Sequence, residues 1–427
     1  MQVVTEAQLV RQLSARSEPG HIVLIMPEAT LPAEGRAPLE HFLKQGNHLL
    51  TLSGSAFASL PEPPILETLT PPYKTWPTSA ARLRLQDTEV TLAAGESVIT
   101  PLPRPRGLGS GLVTPARFIP MVEAFDQDGR SRGATAHLYL NTTTDYAGSV
   151  WGGVGLTPAG LDYTARQSVP LVLAMLDRIR RGVFLADAGP EHVAYVAGEP
   201  VVCGADLVNL GGEPVTVQVS LTVTGEGRTV HDWSGSAVIP ARTVAPPRHV
   251  GPPPLALSPG EYLVKTRVQV SGLPVDAIDC PMRVVEFGKL PPRDVVGVSD
   301  GEFSLAGRPW HPLGMNYWPH LSVGLEPKEF SRNWLSPGQY DPDLVERDLG
   351  LAEQLGLNVL SIQYSDLGQA RPLMDFLARA ARHRLKVHIY CPALEPLRPD
   401  LAMARRMILG AHLPESPAFF AYDVCWE

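Results

Sequence analysis

Four short stretches of the 427-residue chain combine aromatic, amide and carboxylate side chains: Asn316-Tyr317-Trp318, Tyr364-Ser365-Asp366, Tyr390-Cys391 and Trp426-Glu427. Each directly follows a short apolar run. Rings, amides and carboxylates together suit a saccharide, whose apolar faces stack on aromatics while its hydroxyls bond amides and carboxylates. Asn316, Tyr317, Trp318, Tyr364, Tyr390 and Trp426 are therefore the candidate substrate contacts, with the Glu427 carboxylate beside them. Plainer roles stand beside these: Asn316 as a structural amide, Trp318 as core, Glu427 as a solvated carboxylate. Asp366 is read as a helix cap, and His388 as a satisfied histidine inside a strand.

The elements that must position these residues alternate. Strands are expected at His311–Asn316, Val359–Gln363, Val387–Tyr390 and Ala418–Trp426, with helices at Pro342–Leu355, Arg371–Arg384 and Asp400–Gly410 between them. Strands alternating with helices of about a dozen residues imply βα units and a parallel sheet. The first helix is well punctuated: Asp341 as cap, Pro342 in the first turn, Leu344, Val345, Leu349, Ala352 and Leu355 as the apolar face, Gly356 as stop. Functional residues of such a barrel sit where its strands end, which is where the four stretches lie. The long connection Pro319–Tyr340, with Phe330, Trp334 and Tyr340, is read as a wall of the site. A complete (β/α)8 barrel needs about 250 residues. Residues 295–427 are therefore expected to be the N-terminal half of a barrel, in a partial chain.

The run F-x-L-x-G-R-P at 303–309, leading into G-M-N-Y-W-P at 314–319, resembles the entry to the catalytic barrel of the large retaining superfamily of glycoside hydrolases. The segments Y-D-P-D-L-V-E-R-D-L and L-G-L-N-V-L-S-I-Q-Y continue in the same style. The resemblance covers about 125 residues. It implies an acid/base glutamate closing the fourth strand, where Glu427 falls, and a nucleophile closing the seventh. Such a pair, about 5–5.5 Å apart, protonates the leaving oxygen and attacks the sugar carbon. Trp426 stands where the superfamily commonly has Asn, and no seventh strand is present. The chain alone is thus expected to be inactive. The alternative is a carbohydrate-binding or scaffold protein without catalysis.

Ahead of the barrel two further domains are expected. In residues 1–190, the apolar run His21–Met26, a helix at Ala37–Gln45 and a strand at His48–Leu52 read as one βαβ unit of an open α/β sheet. This unit resembles the glutamine-amidotransferase-like domain that accompanies some bacterial glycoside hydrolases. An amidotransferase needs a cysteine nucleophile, and the chain has none before Cys203, so this domain is expected to be non-catalytic. Ser55 and the glycine-rich Gly107–Gly111 are read as turn and surface loop. Strands are expected at Arg82–Leu92, Phe118–Phe125 and Ala136–Asn141, and a helix at Val169–Arg181 with Leu171, Met175 and Ile179 on one face. In residues 191–290 the period falls to two: Val215, Val217, Val219, Leu221 and Val223, then Tyr262, Val264, Val268 and Val270, alternate with polar residues. About seven strands predict an immunoglobulin-like β-sandwich, with Trp233 in its core or at its edge. The fold class expected is multidomain, α/β plus all-β.

Composition narrows the function classes. Formal net charge is −8 and no cluster of Lys or Arg occurs, which argues against nucleic acid and anionic membrane as partners. No apolar run is long enough to span a membrane, and no signal peptide is visible at the start, so a cytoplasmic location is the default expectation. The 43 prolines, about a tenth of the chain, gather at 61–73, 101–105, 246–254 and 291–292, implying stiffened connections. Cys203, Cys280, Cys391 and Cys425 lack metal-ligand spacing. They are read as free buried thiols, with a Cys203–Cys280 bridge as the alternative. Neither metal nor organic cofactor is indicated, the expected partner is a carbohydrate substrate, and oligomeric state is left open.

Overall fold

The computed structural model describes residues 5–15, 23–26, 33–52, 74–77, 82–85, 88–91, 97–100, 116–125, 131–142, 145–154, 168–319, 334–337 and 340–424. Ser55, Gly107–Gly111, Phe330, Cys425, Trp426 and Glu427 lie outside these residues.

The expected βαβ unit is present. Val23–Met26 and His48–Thr51 pair in parallel, with the helix Arg36–Lys44 between them. Leu39, Phe42 and Leu43 of that helix are buried against Leu49 and Trp151. Gly46, at φ +80°, follows the helix and turns the chain into the next strand. The strands expected at Phe118–Phe125 and Ala136–Asn141 are present in the same sheet, which also takes strands that the periodicity did not predict. Val150–Val154 adds as a third parallel strand, and Ser131–Asn141, Ala116–Phe125, Arg82–Leu85 and Thr88–Thr91 follow antiparallel, giving a mixed sheet of seven strands. The run expected as one strand, Arg82–Leu92, folds back on itself as two short paired strands. Val150–Val154 was hidden by its two glycines, which have low strand propensity. Gly152 is needed there for close approach: a Cβ would lie 2.7 Å from a Leu50 methyl and 2.9 Å from a Leu138 methyl. The helix Ser168–Arg181 covers the sheet with Leu171, Met175 and Ile179, the three residues its pattern selected.

Two sheets follow face to face. Val183–Pro190, Cys203–Asn209 and Thr243–Val250 form one; Ala194–Val196, Leu273–Val285, Gly260–Val270, Val215–Gly225 and Arg228–Ile239 form the other. Val183–Pro190 falls in the range expected for the first domain, yet it pairs with Cys203–Asn209. The alternating residues Val217, Val219, Leu221, Val223, Val264 and Val268 all point into the space between the sheets. Trp233 packs against the same clusters. Cys203 and Cys280 are buried free thiols, not a bridge, and the Cys280 thiol donates to the Ala188 carbonyl.

This sandwich is clasped to the first sheet through one buried carboxylate. Asp276 accepts from Arg117 (2.5 Å), from Arg178, and from the backbone N–H of Leu185 (2.9 Å) and Ala277 (2.8 Å). Burial alone would raise its pKa, but the two guanidinium groups hold it down at about 2.

The last unit begins with two tight hairpins. Gly297–Ser299, Glu302–Leu305 and Arg308–Pro309 form a small antiparallel sheet. Asp300-Gly301 and Ala306-Gly307 occupy its turns, all four at positive φ, the twist that two-residue hairpins favour. Gly314–Asn316, Val359–Gln363, Lys386–Tyr390 and Phe419–Asp423 then form a parallel sheet in chain order, a curled half-barrel. The helices Pro342–Gln354, Ala370–Arg382 and Leu401–Gly410 alternate with these strands. The side chain of Asp341 caps the first helix by accepting from the N–H groups of Asp343 and Leu344. Val345, Leu349 and Ala352 are buried as expected, but Leu355 is 71 % exposed. It is the C-cap residue, past the last turn that lies on the sheet.

Candidate active site

Side chains of a strand alternate between its faces, and residues level with one another on neighbouring parallel strands share a face. Leu360, Ile362, Tyr364, Val387, Ile389 and Cys391 belong to the cluster formed with the helices. The other set therefore faces the concave side. Asn316, Ser361, His388 and Ala421 make one row in register. Gln363, Tyr390 and Asp423 make the next row, nearer the strands' C-terminal ends.

The first row is polar and internally bonded: Ser361 Oγ lies 3.1 Å from His388 Nδ1. His388 also approaches the ring of Phe420, which packs edge-on against Phe303 (5.3 Å) and Trp310 (5.0 Å). The hairpin sheet is thereby tied to the fourth strand. The second row brings an amide, a phenol and a carboxylate together on three adjacent strands; Gln363 (7 % exposed) and Tyr390 (9 %) are buried there and Asp423 is half-buried. Trp318, 42 % exposed, and Asn316, also exposed, complete the described rim on the first strand's side.

Period two separates the candidates that were adjacent in sequence. Tyr317 lies between Asn316 and Trp318 but points the other way, and is only 8 % exposed. Its hydroxyl donates to Asp348 (3.3 Å), its ring stacks on Phe376 (5.8 Å) and Trp334 meets it edge-on (5.5 Å). Burial, with the Asp348 carboxylate, raises its pKa well above the ordinary value. Tyr364 is fully buried, and its hydroxyl donates to the Met407 carbonyl. These two tyrosines thus stand in the helix layer, while Asn316, Trp318 and Tyr390 stand on the concave side. Trp334 and Tyr340, expected on the wall of the site, are buried in the same layer as Tyr317. Asp366 caps the short turn Leu367–Gln369 by accepting from Gly368 N–H (2.7 Å).

Sequence reasoning passed over Gln363 and Asp423. The signal was available: each shares a face with Tyr390 once the strands are aligned by their apolar residues. Asp423 falls inside the strand expected at Ala418–Trp426, whereas the observed strand ends on it. Among the described residues no group of three His, Cys, Asp or Glu side chains is arranged to hold a metal ion. Among the same residues no helix is long and apolar enough to cross a membrane.

No family model and no curated protein matches the chain. Solved structures similar to parts of it include several glycosidases. A β-glucuronidase from Parabacteroides merdae is 11 % identical over 56 % of this chain and 29 % of that one, with a TM-score of 0.27. A β-D-mannosidase from Dictyoglomus thermophilum is 14 % identical over 56 % of this chain and 29 % of that one, at 0.26. A GH2 β-galacturonidase from Eisenbergiella tayi is 13 % identical over 83 % of this chain and 65 % of that one, at 0.25. The chain spans about three tenths of the length of the first two.

Proposed function

We propose that the rim made by Asn316, Trp318, Gln363, Tyr390 and Asp423 binds a saccharide together with Trp426, and that Glu427 is the acid/base of a retaining glycoside hydrolase. The observation that supports this best is the row Gln363, Tyr390, Asp423, which sets hydroxyl-bonding groups side by side at the ends of parallel strands. Trp318 adds an exposed ring for stacking. Glu427 lies four residues beyond Asp423 in the sequence. In this reading the Glu427 carboxylic acid gives its proton to the glycosidic oxygen as the bond to the sugar carbon breaks. The retaining mechanism requires a second carboxylate, which takes that carbon. Glu427 then removes a proton from the water that releases the sugar.

Leaving groups test this role. In the protein expressed from its complete reading frame, Glu427→Gln should cost about 10²–10⁴-fold in kcat/KM on a glycoside with a poor leaving group. The loss should be far smaller on a dinitrophenyl glycoside, which departs without a proton. Equal rates for mutant and parent on both substrates would remove Glu427 from the chemistry. Trp426, in place of Asn, favours a second reading, a carbohydrate-binding protein without turnover. Saturable saccharide binding with no hydrolysis of either glycoside would decide for it.

A further inference from the structure

Tyr317 is the one residue that separates the two exposed rim residues Asn316 and Trp318, and it is anchored from behind. Its ring is held by Phe376 and by Trp334, and Trp334 packs in turn on Phe376 (5.3 Å) and Tyr340 (6.3 Å). Tyr340 does not end the series. Its hydroxyl donates to Asp375 Oδ2 (2.7 Å), a carboxylate fully removed from solvent. The other oxygen of Asp375 accepts from Arg283 Nε at 3.0 Å. Arg283 belongs to the sandwich strand Leu273–Val285, and its Nη1 is fixed by Glu261 of the neighbouring strand at 2.6 Å. An unbroken run of hydrogen bonds and ring contacts therefore leads from the sandwich to the backbone position between Asn316 and Trp318.

We propose that Arg283 is a positioning residue of the barrel rim, fixing Asp375 and, through Tyr340, Trp334 and Tyr317, the orientation of Asn316 and Trp318. Its importance to a saccharide site rests on the reading of that rim given above. Two features set it apart from a general domain fastener. Asp375 bonds Arg283, Arg379 and Tyr340 at once, so losing one donor disturbs the others. A second sandwich-to-helix pair, Arg371 with Glu199 (2.5 and 2.9 Å), joins the same two units, but neither residue belongs to the aromatic series and it serves as a control.

The test reads the rim without any sugar. The full chain is labelled with 5-fluorotryptophan, and the Trp318 signal among the seven tryptophans is assigned by Trp318→Phe. Tyr340→Phe, which removes only the hydroxyl bonded to Asp375, and Arg283→Met should each shift or broaden the Trp318 fluorine resonance. Arg371→Met should leave it in place. Should Arg283→Met fail to fold, Tyr340→Phe decides alone. A Trp318 signal unmoved by Tyr340→Phe, or moved as much by Arg371→Met, overturns the proposal. A signal that follows Arg283 in a chain that binds no saccharide leaves the positioning intact and overturns only the sugar reading.

Discussion

The environments of Asp276 and Asp187 push these two carboxylates in opposite directions. Arg117 and Arg178 hold Asp276 at about 2 against the cost of its burial. A carboxylate whose pKa is lower folded than unfolded stabilises the fold above its unfolded value of about 3.9, and that stabilisation is lost as pH falls towards 2. Asp276→Asn leaves two guanidinium groups uncompensated and should cost about 3–5 kcal/mol at pH 7. The gap in Tm between mutant and parent should narrow as pH approaches 2. Asp187 is the reverse case. Burial pushes its carboxyl up to about 7, and the charge of Asp206, level with it on the next strand, adds to the effect. Here the fold is favoured below the unfolded pKa, and stability drains away as pH rises through 7. Asp187→Asn should therefore raise Tm at pH 8 and change it little at pH 4; an equal effect at both values would contradict the assignment. Neither carboxylate was legible in the sequence. Their partners are 159 and 19 residues away, and spacing along the chain carries no information at that range.

At the scale of elements, the sequence was most legible where period and punctuation agreed. Asp341, Pro342 and Gly356 bounded the first barrel helix to within a residue, and alternating valines defined the sandwich strands. It was least legible where tertiary packing overrode propensity, as at Val150–Val154. That strand yields a sharp prediction. Gly152→Ala would place a methyl among Leu50, Leu138 and Met175. These side chains are buried in a packed cluster, so the overpacking should cost about 1–3 kcal/mol in urea unfolding. No loss would mean that the strands have room to move apart. In the barrel the strands were found, but a period-two face was not applied to their ends. This is why Tyr317 and Tyr364 were grouped with Asn316 and Trp318, although the strand turns them into the helix layer, and why Gln363 and Asp423 were overlooked.

At the scale of the molecule, changes of period along the chain marked a βα beginning, an all-β middle and a βα ending, but not that the first sheet is mixed. What joins them was not. The joints are buried or half-buried ion pairs, Asp276 with Arg117 and Arg178 on one side of the sandwich, and Arg283 with Asp375 on the other. Together they make the sandwich the part that touches both neighbours, and the rim its furthest dependent. That rim is proposed to receive a saccharide. The most direct test is equilibrium binding of the purified chain to an array of α- and β-linked oligosaccharides, repeated with Trp318→Ala and Asp423→Ala. Saturable binding to at least one class of glycan is expected, weakened about tenfold or more, roughly 1.4 kcal/mol, by each substitution. Binding to no glycan, or binding that both variants retain in full, would contradict it.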